Sequence, residues 1–190
     1  MELHFFLYNL QKTFSKNSSR KIVEKTAQTE LTNNKIRLSH DENGKPYLAH
    51  DERHVSYSHT DNSLFIGFSE SPIGVDFERK DRGRELENMR EYAFSGKDSV
   101  PDDINLLELW CLKEASLKKK GIGFLFANPN EYILTADRQY YELRNGDEVI
   151  DEGFYEIIKE DQYVFVICSM TDINNYKIIK ENYKDVYSRI

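Results

Sequence analysis

Cysteine is almost absent from this 190-residue sequence: Cys111 and Cys168 are far apart, and neither has a Cys or His partner at metal-ligand spacing. That excludes a disulfide framework and a zinc site, and two buried thiols in a reducing compartment are expected instead. Positive charge is not in excess either. Lysine and arginine number 26 against 33 aspartate and glutamate, a net of −7. A general surface for nucleic acid or anionic lipid is thereby excluded, and any phosphate ligand must meet a local basic cluster. No apolar run approaches the length of a membrane span. The opening MELHFFLYNL places Glu2 and His4 before a very short apolar run and has no small-residue cleavage signal. It is therefore not read as a secretory peptide, and a cytoplasmic location is expected. No Gly-Ser linker or low-complexity tract divides the chain. With 39% hydrophobic residues, it can bury one good core or two small adjoining ones.

What is present is a sequence of changing periods. A first strand around His4–Tyr8 is followed by Ser18 and Ser19 and then by Ile22, Val23, Ala27 and Leu31, the spacing of an amphipathic helix ending at Asn33-Asn34. From His54 the runs VSYS, LFIGFS and IGVDFE, separated by Asp61-Asn62 and Ser71-Pro72, read as adjacent strands. A charged stretch from Glu85 to Tyr92 reads as a surface helix. Ser99, Pro101 and Asp102 are then expected to open a strongly patterned helix that runs to Lys120 and stops at Gly121. Beyond it, Tyr140–Leu143, Phe154–Ile158 and Tyr163–Cys168 read as antiparallel strands, with Asn145-Gly146 as a hairpin signal. A helix followed by strands occurs twice, so an α+β fold with an internal duplication is expected, the site lying between its halves.

Three carboxylates carry the chemistry. On a strand through Ile73-Gly74-Val75-Asp76-Phe77-Glu78, Val75 and Phe77 face one way while Asp76 and Glu78 project together from the other face. Paired hard-oxygen ligands suit magnesium, which keeps several waters and is often completed by substrate phosphates; a solvated strand edge is the alternative. At 100° per residue, Leu107, Trp110, Cys111, Glu114 and Lys118 share one helix stripe. A carboxylate at Glu114 then needs a cation, a metal or hydrogen-bond donors, and Lys118 one turn later is a purely structural candidate partner. Lys113 and Lys118 flank Glu114 and are candidates for phosphate contacts, whereas Lys119 and Lys120 read as a solvated face favoured by the helix dipole. His59, beside Ser58 and Thr60, has no hydrolase signature around it, so Ser58 is not read as a nucleophile.

The ordered set Gly44-Lys45-Pro46, Ser58-His59-Thr60, Pro72-Ile73-Gly74-Val75-Asp76-Phe77-Glu78, Ala93-Phe94-Ser95 and Trp110-Cys111-Leu112-Lys113-Glu114-Ala115, with Lys118, Gly121 and Gly123, resembles the Sfp-type 4′-phosphopantetheinyl transferases. The resemblance spans roughly residues 44–125, and the pairing of G-[IV]-D-x-E with W-x-x-K-E-[AS]-x-x-K is specific. It implies an intramolecular pseudodimer of two similar α+β halves, residues 1–72 and 73–190, the second carrying the metal ligands, with the site at their interface. It further implies transfer of 4′-phosphopantetheine from coenzyme A to a serine of an apo acyl-carrier or peptidyl-carrier protein, releasing 3′,5′-ADP and requiring Mg2+.

By motif position, Asp76, Glu78 and Glu114 would hold the metal, and Glu114, Asp76 and Lys118 would be catalytic, Glu114 as general base directly or through water. Lys45, Ser58, His59, Lys113, Lys118 and Arg20 would contact coenzyme A. A monomer is expected, with no nucleic-acid or membrane partner, and with a carrier serving fatty-acid, polyketide or nonribosomal-peptide synthesis. The chain departs from the family in Ser56-Tyr57-Ser58-His59-Thr60, where Asn-[IL]-Ser-His-Ser is usual, and in a thinned basic segment before the first helix. A non-catalytic coenzyme A or carrier-binding module of the same fold is the alternative, and another magnesium-dependent phosphoryl-transfer enzyme is a third reading.

Overall fold

The computed structural model describes residues 3–9, 16–60, 62–88, 90–122 and 128–182. Strand β1 (Leu3–Asn9) leads to helix α1 (Lys16–Glu30), a hairpin of β2 (Arg37–His40) and β3 (Pro46–Ala49), and a second hairpin of β4 (His54–Thr60) and β5 (Ser63–Ser69). Strand β6 (Ile73–Arg79) leads through the short helices α2 (Gly83–Asn88) and α3 (Arg90–Ala93) to the long helix α4 (Leu106–Lys120). The strands β7 (Tyr132–Asp137), β8 (Tyr140–Asn145), β9 (Glu148–Lys159), β10 (Tyr163–Ser169) and β11 (Tyr176–Asn182) follow, a mixed α+β architecture.

Two sheets form most of the body, in the orders β11-β1-β5-β4 and β6-β10-β9-β8-β7. β11 runs parallel to β1, with Leu3 opposite Tyr176, so the first sheet takes its outermost strand from late in the chain. Period-2 alternation explains the layering. On β1, Phe6 and Tyr8 meet Ile22, Val23 and Ala27 of α1. Phe5 and Leu7 turn the other way, into a core shared with Phe65, Val75, Phe77, Phe165 and Ile167. There the Phe65 and Phe165 rings lie 5.0 Å apart and Phe77 stacks on Phe165 at 5.4 Å; burying each such ring contributes roughly 2 kcal/mol. A third core joins the far face of the second sheet, through Val164, Val166 and Cys168, to Leu112 and Ala115 of α4. The order of layers is therefore helix, sheet, sheet, helix.

Helix α4 begins later than Ser99–Asp102 suggested. Its cap is Asn105, whose side chain accepts the Glu108 N–H while Glu108 reaches back to the Asn105 N–H, a reciprocal capping box. Ser99 is instead tied to β7, its N–H donating to the Leu134 carbonyl at 2.9 Å. The stop at Gly121 stands, with φ 91° in the left-handed region where a side chain would be strained. The described residues of the stretch from Glu85 to Tyr92 are helical, in α2 and α3. Cys111 and Cys168 are both free and buried. Among the described residues no helix is long and apolar enough to cross a membrane.

Gly74 brings α4 onto β6. A Cβ there would stand 1.9 Å from the Ala115 carbonyl oxygen and 2.6 Å from the Lys119 nitrogen, so only glycine admits the helix backbone this close to the strand.

Candidate active site between β4, β6 and α4

β4 and β6 are edge strands of different sheets, and they meet through hydroxyls spaced two residues apart. Ser56 Oγ accepts the Val75 N–H at 3.0 Å, Ser58 Oγ donates to Asp76 Oδ1 at 2.6 Å, and Thr60 Oγ1 donates to Glu78 Oε2 at 3.2 Å. Asp76 and Glu78 are buried, 1% and 8% exposed, so the solvated-edge reading of this strand does not hold. Above them α4 places Glu114 and Lys118 one turn apart. Lys118 Nζ lies 2.7 Å from Asp76 Oδ1, 3.1 Å from Ser58 Oγ and 3.2 Å from Glu114 Oε1. Arg82, just after β6, holds Glu78 by a short ion pair and lies 3.3 Å from Glu85.

The electrostatics are those of an incompletely neutralised cluster. Asp76, Glu78 and Glu114 face Lys118 and Arg82, three carboxylates against two cations. Burial, the largest cause, pushes all three carboxyls above their ordinary values, with Glu78 adding to the effect at Asp76 and Asp76 at Glu114. Burial opposes the charge of Lys118, yet the adjacent Asp76 and Glu114 carboxylates hold its pKa above the usual lysine value. Asp76 Oδ2 is buried with no hydrogen-bond partner, a costly arrangement for an anionic oxygen unless a further cation or donor meets it. Among the described residues no three His, Cys, Asp or Glu groups are gathered as a ready metal site, and the Lys118 ammonium pairs with both Asp76 and Glu114. The donor set nonetheless fits a hard divalent cation: carboxylate oxygens only, one of them unpartnered.

Glu114 and Lys118 carry the cluster to an open cleft of about 340 Å³, whose other walls are Gly44, Lys45 and Pro46, Ser56 to His59 of β4, and Gly121; Asp76 and Glu78 lie behind this lining. Lys45 is anchored in this wall, its Nζ donating to the Lys119 carbonyl at 2.6 Å, and burial lowers its pKa. A second hollow of about 540 Å³ adjoins through His59 and is lined by Thr60, Arg79, Asp81, Arg82 and Glu85. Arg20 is exposed and reaches the outer end of the cleft through Tyr57: its charge and hydrogen bond act against the burial that raises the Tyr57 pKa. The Tyr57 hydroxyl also lies 3.2 Å from His40 Nε2.

The structure thus brings together Asp76, Glu78, Glu114, Lys118, Ser58, His59 and Lys45, with Arg20 at the rim. Lys113 is the correction. Expected to reach a phosphate, it is fully buried and paired with both oxygens of Asp98 at 3.0 and 3.1 Å, its ammonium 5.8 Å from the Phe94 ring. The cause is helical rotation: one residue before Glu114 is about 100° away around the helix, and Lys113 and Lys118 stand about 140° apart. Lys119 is a second correction, since it is 2% exposed rather than solvated, with Nζ 2.6 Å from the Glu152 carbonyl and 3.3 Å from Asp151. Gly123 lies outside the described residues.

Sequence reasoning missed Thr60, Arg82 and His40. Thr60 was readable in principle, since residues 56, 58 and 60 keep step with the alternation of β6. Arg82 follows Glu78 by four residues, a spacing that a strand would keep apart and that the 3-10 turn after β6 closes, whereas His40 carries no local signal because only folding brings it to Tyr57.

Fold and site together define a class: an α+β protein whose interstrand acid cluster opens on a cleft with lysine and histidine in its walls, suited to an anionic ligand bridged by a cation. No family model matches the chain. It is 27% identical over 157 residues to the 4′-phosphopantetheinyl transferase gsp of Aneurinibacillus migulanus, an alignment covering 79% of this chain. The chain spans 65% of that relative's length. The match supports a family relationship with the 4′-phosphopantetheinyl transferases.

Proposed function

We propose that the protein transfers 4′-phosphopantetheine from coenzyme A to a serine of an apo acyl-carrier or peptidyl-carrier protein, releasing 3′,5′-ADP. The observation that carries this reading is the partnerless Asp76 Oδ2 inside a cluster of three carboxylates, of which Glu114 lines a cleft together with Lys45, His59 and Lys118. Asp76, Glu78 and Glu114 would hold Mg2+, which would supply charge to neutralise the leaving group. Glu114, 21% exposed and the one carboxylate of the three that lines the cleft, takes the proton of the attacking serine. The serine oxygen bonds to the phosphorus joined to pantetheine as the bond to 3′,5′-ADP breaks.

Lys118 orients Asp76 and Glu114 and offers its charge to the same phosphates. His59, Ser58 and Lys45 line the nucleotide side, and Arg20 with Tyr57 the outer end. The proposed halves, 1–72 and 73–190, share a matching connectivity, with β11 of the second crossing over to join the sheet of the first. In each, a strand (β1 or β6) pairs antiparallel with the last strand of the half's body (β5 or β10), which pairs in turn with the strand before it (β4 or β9). We further place the protein in the cytoplasm as a monomer, acting on a carrier of fatty-acid, polyketide or nonribosomal-peptide synthesis.

Incubation with coenzyme A, Mg2+ and apo-carrier proteins is expected to yield carriers heavier by one phosphopantetheine. A folded enzyme that modifies none of them overturns the reading. The internal pairing of the carboxylates with Lys118 and Arg82 favours one alternative, a non-catalytic coenzyme A or carrier-binding module. Calorimetric binding of coenzyme A that is indifferent to Mg2+ and leads to no turnover decides for that alternative.

A further inference from the structure

We propose that Arg82 is a displaceable counter-ion, a guanidinium that neutralises Glu78 until a divalent cation takes its place. The inference rests on the cation site proposed above. Among the three carboxylates, each is held differently. Asp76 accepts from Ser58 and Lys118 on Oδ1 alone, leaving Oδ2 unpartnered. Glu114 shares the same Lys118. Glu78 has Thr60 on Oε2, and Arg82 covers its Oε1. A cation approaching Asp76 Oδ2 therefore finds Glu78 already occupied.

The two internal cations differ in how readily they can leave. The Lys118 side chain is 24% exposed and its ammonium is engaged by Asp76, Glu114 and Ser58 at once. The Arg82 side chain is 43% exposed at the end of a single 3-10 turn, Lys80–Arg82, where the chain leaves β6. It also has a second foothold, Glu85, whose carboxylate lies 3.3 Å from Arg82 Nε and is itself 70% exposed. Arg82 itself lines the hollow of about 540 Å³ bounded by His59, Asp81 and Glu85, which offers the guanidinium space beside Glu78. A divalent ion brings twice the charge of the guanidinium to a cluster in which Arg82 divides its contacts between Glu78 and Glu85 and leaves Asp76 Oδ2 unmet. Cation entry and Arg82 withdrawal are then one exchange, and the strength of the Arg82–Glu78 pair subtracts from the affinity of the site.

The test is titration of the full chain with Mn2+ in the absence of coenzyme A, following free Mn2+ by electron paramagnetic resonance, for the unaltered protein, Arg82→Gln and Arg82→Lys. Removing a partly exposed competitor of this kind is expected to tighten Mn2+ binding roughly fivefold in Arg82→Gln, with Arg82→Lys between it and the unaltered protein. In thermal melts, the Mn2+-induced rise in melting temperature should be larger for Arg82→Gln than for the unaltered protein. Equal or weaker Mn2+ binding by the folded variants overturns the proposal and leaves the cation site standing. Absence of Mn2+ binding in all three folded proteins overturns the cation site and the proposal together. Should Arg82→Gln not fold, Arg82→Lys decides alone by the same comparison.

Discussion

Of the lysine–carboxylate pairs made by helix α4, those of Lys113 and Lys118 face opposite surroundings, and the contrast between them separates structural charge from functional charge. On the core side, Asp98 is saturated: Lys113 meets both of its oxygens, and the N–H groups of Leu134 and Ser95 donate to it as well. That pair ties the loop before α4 to β7 and to the helix, and it leaves no acceptor unmet. On the cleft side, Lys118 is shared between Asp76 and Glu114, Glu78 depends on a surface arginine, and Asp76 Oδ2 has no partner. Buried charge alone does not mark a site, since both regions have it. The cleft side is marked by acceptors in excess of donors and by access to a cavity.

The contrast breaks most visibly by neutralising one carboxylate on each side. Asp76→Asn is expected to slow carrier modification about 10³-fold, near 4 kcal/mol of barrier, with little change in melting temperature. Asp98→Asn should do the reverse, lowering stability in urea by about 3 kcal/mol because the buried Lys113 ammonium loses the Asp98 carboxylate. The activity of its folded fraction should stay close to that of the unaltered protein. Similar losses of stability and transfer in both variants would erase the distinction.

Gly74→Ala tests what couples the sides. The added Cβ meets backbone of α4 that cannot rotate away, so stability should fall by about 2 kcal/mol as the helix is pushed off β6. Lys118 would then separate from Asp76 and transfer would drop with it. An alanine variant that melts and turns over like the parent would show that the close approach is dispensable.

The smallest effect is expected at the outer end of the cleft. Burial first, and then the charge of Arg20, hold His40 below its ordinary value of 6.5. The native protein therefore binds fewer protons there than the unfolded chain, and His40 costs stability as pH falls from about 6.5 through its folded value. Melting temperatures measured from about pH 7.5 down to about pH 5 should decline less steeply in His40→Gln than in the parent. An unchanged slope would remove His40 from the electrostatics of that wall.

Much of the centre of the molecule was legible in advance. Alternation in residues 73–78 put Asp76 and Glu78 on one face, and the 100° helical period put Glu114 and Lys118 on one stripe; both hold because they follow from backbone geometry within one element. The hairpin signal at Asn145-Gly146 was equally local, with Gly146 in the left-handed region at φ 57°. The strands β2, β3, β7 and β11 were not anticipated. β2 and β3 are four residues each, too short for a period to register, and β11 is defined by a parallel partner at the other end of the chain. Lys113 and Lys119 were misplaced because sequence proximity to Glu114 and to a helix end says nothing about which side chains the opposite layer supplies.

Local chemistry alone therefore settled which residues are acids, which share a face and where α4 must stop, since each depends on a few consecutive dihedrals and on side-chain type. Only the tertiary structure decided which of those charges are satisfied. The partners that settle this, Ser58 and Thr60 for the β6 carboxylates, Arg82 for Glu78 and Asp98 for Lys113, come from other elements of the fold. Burial there makes each met or unmet hydrogen bond count for far more than it would in water.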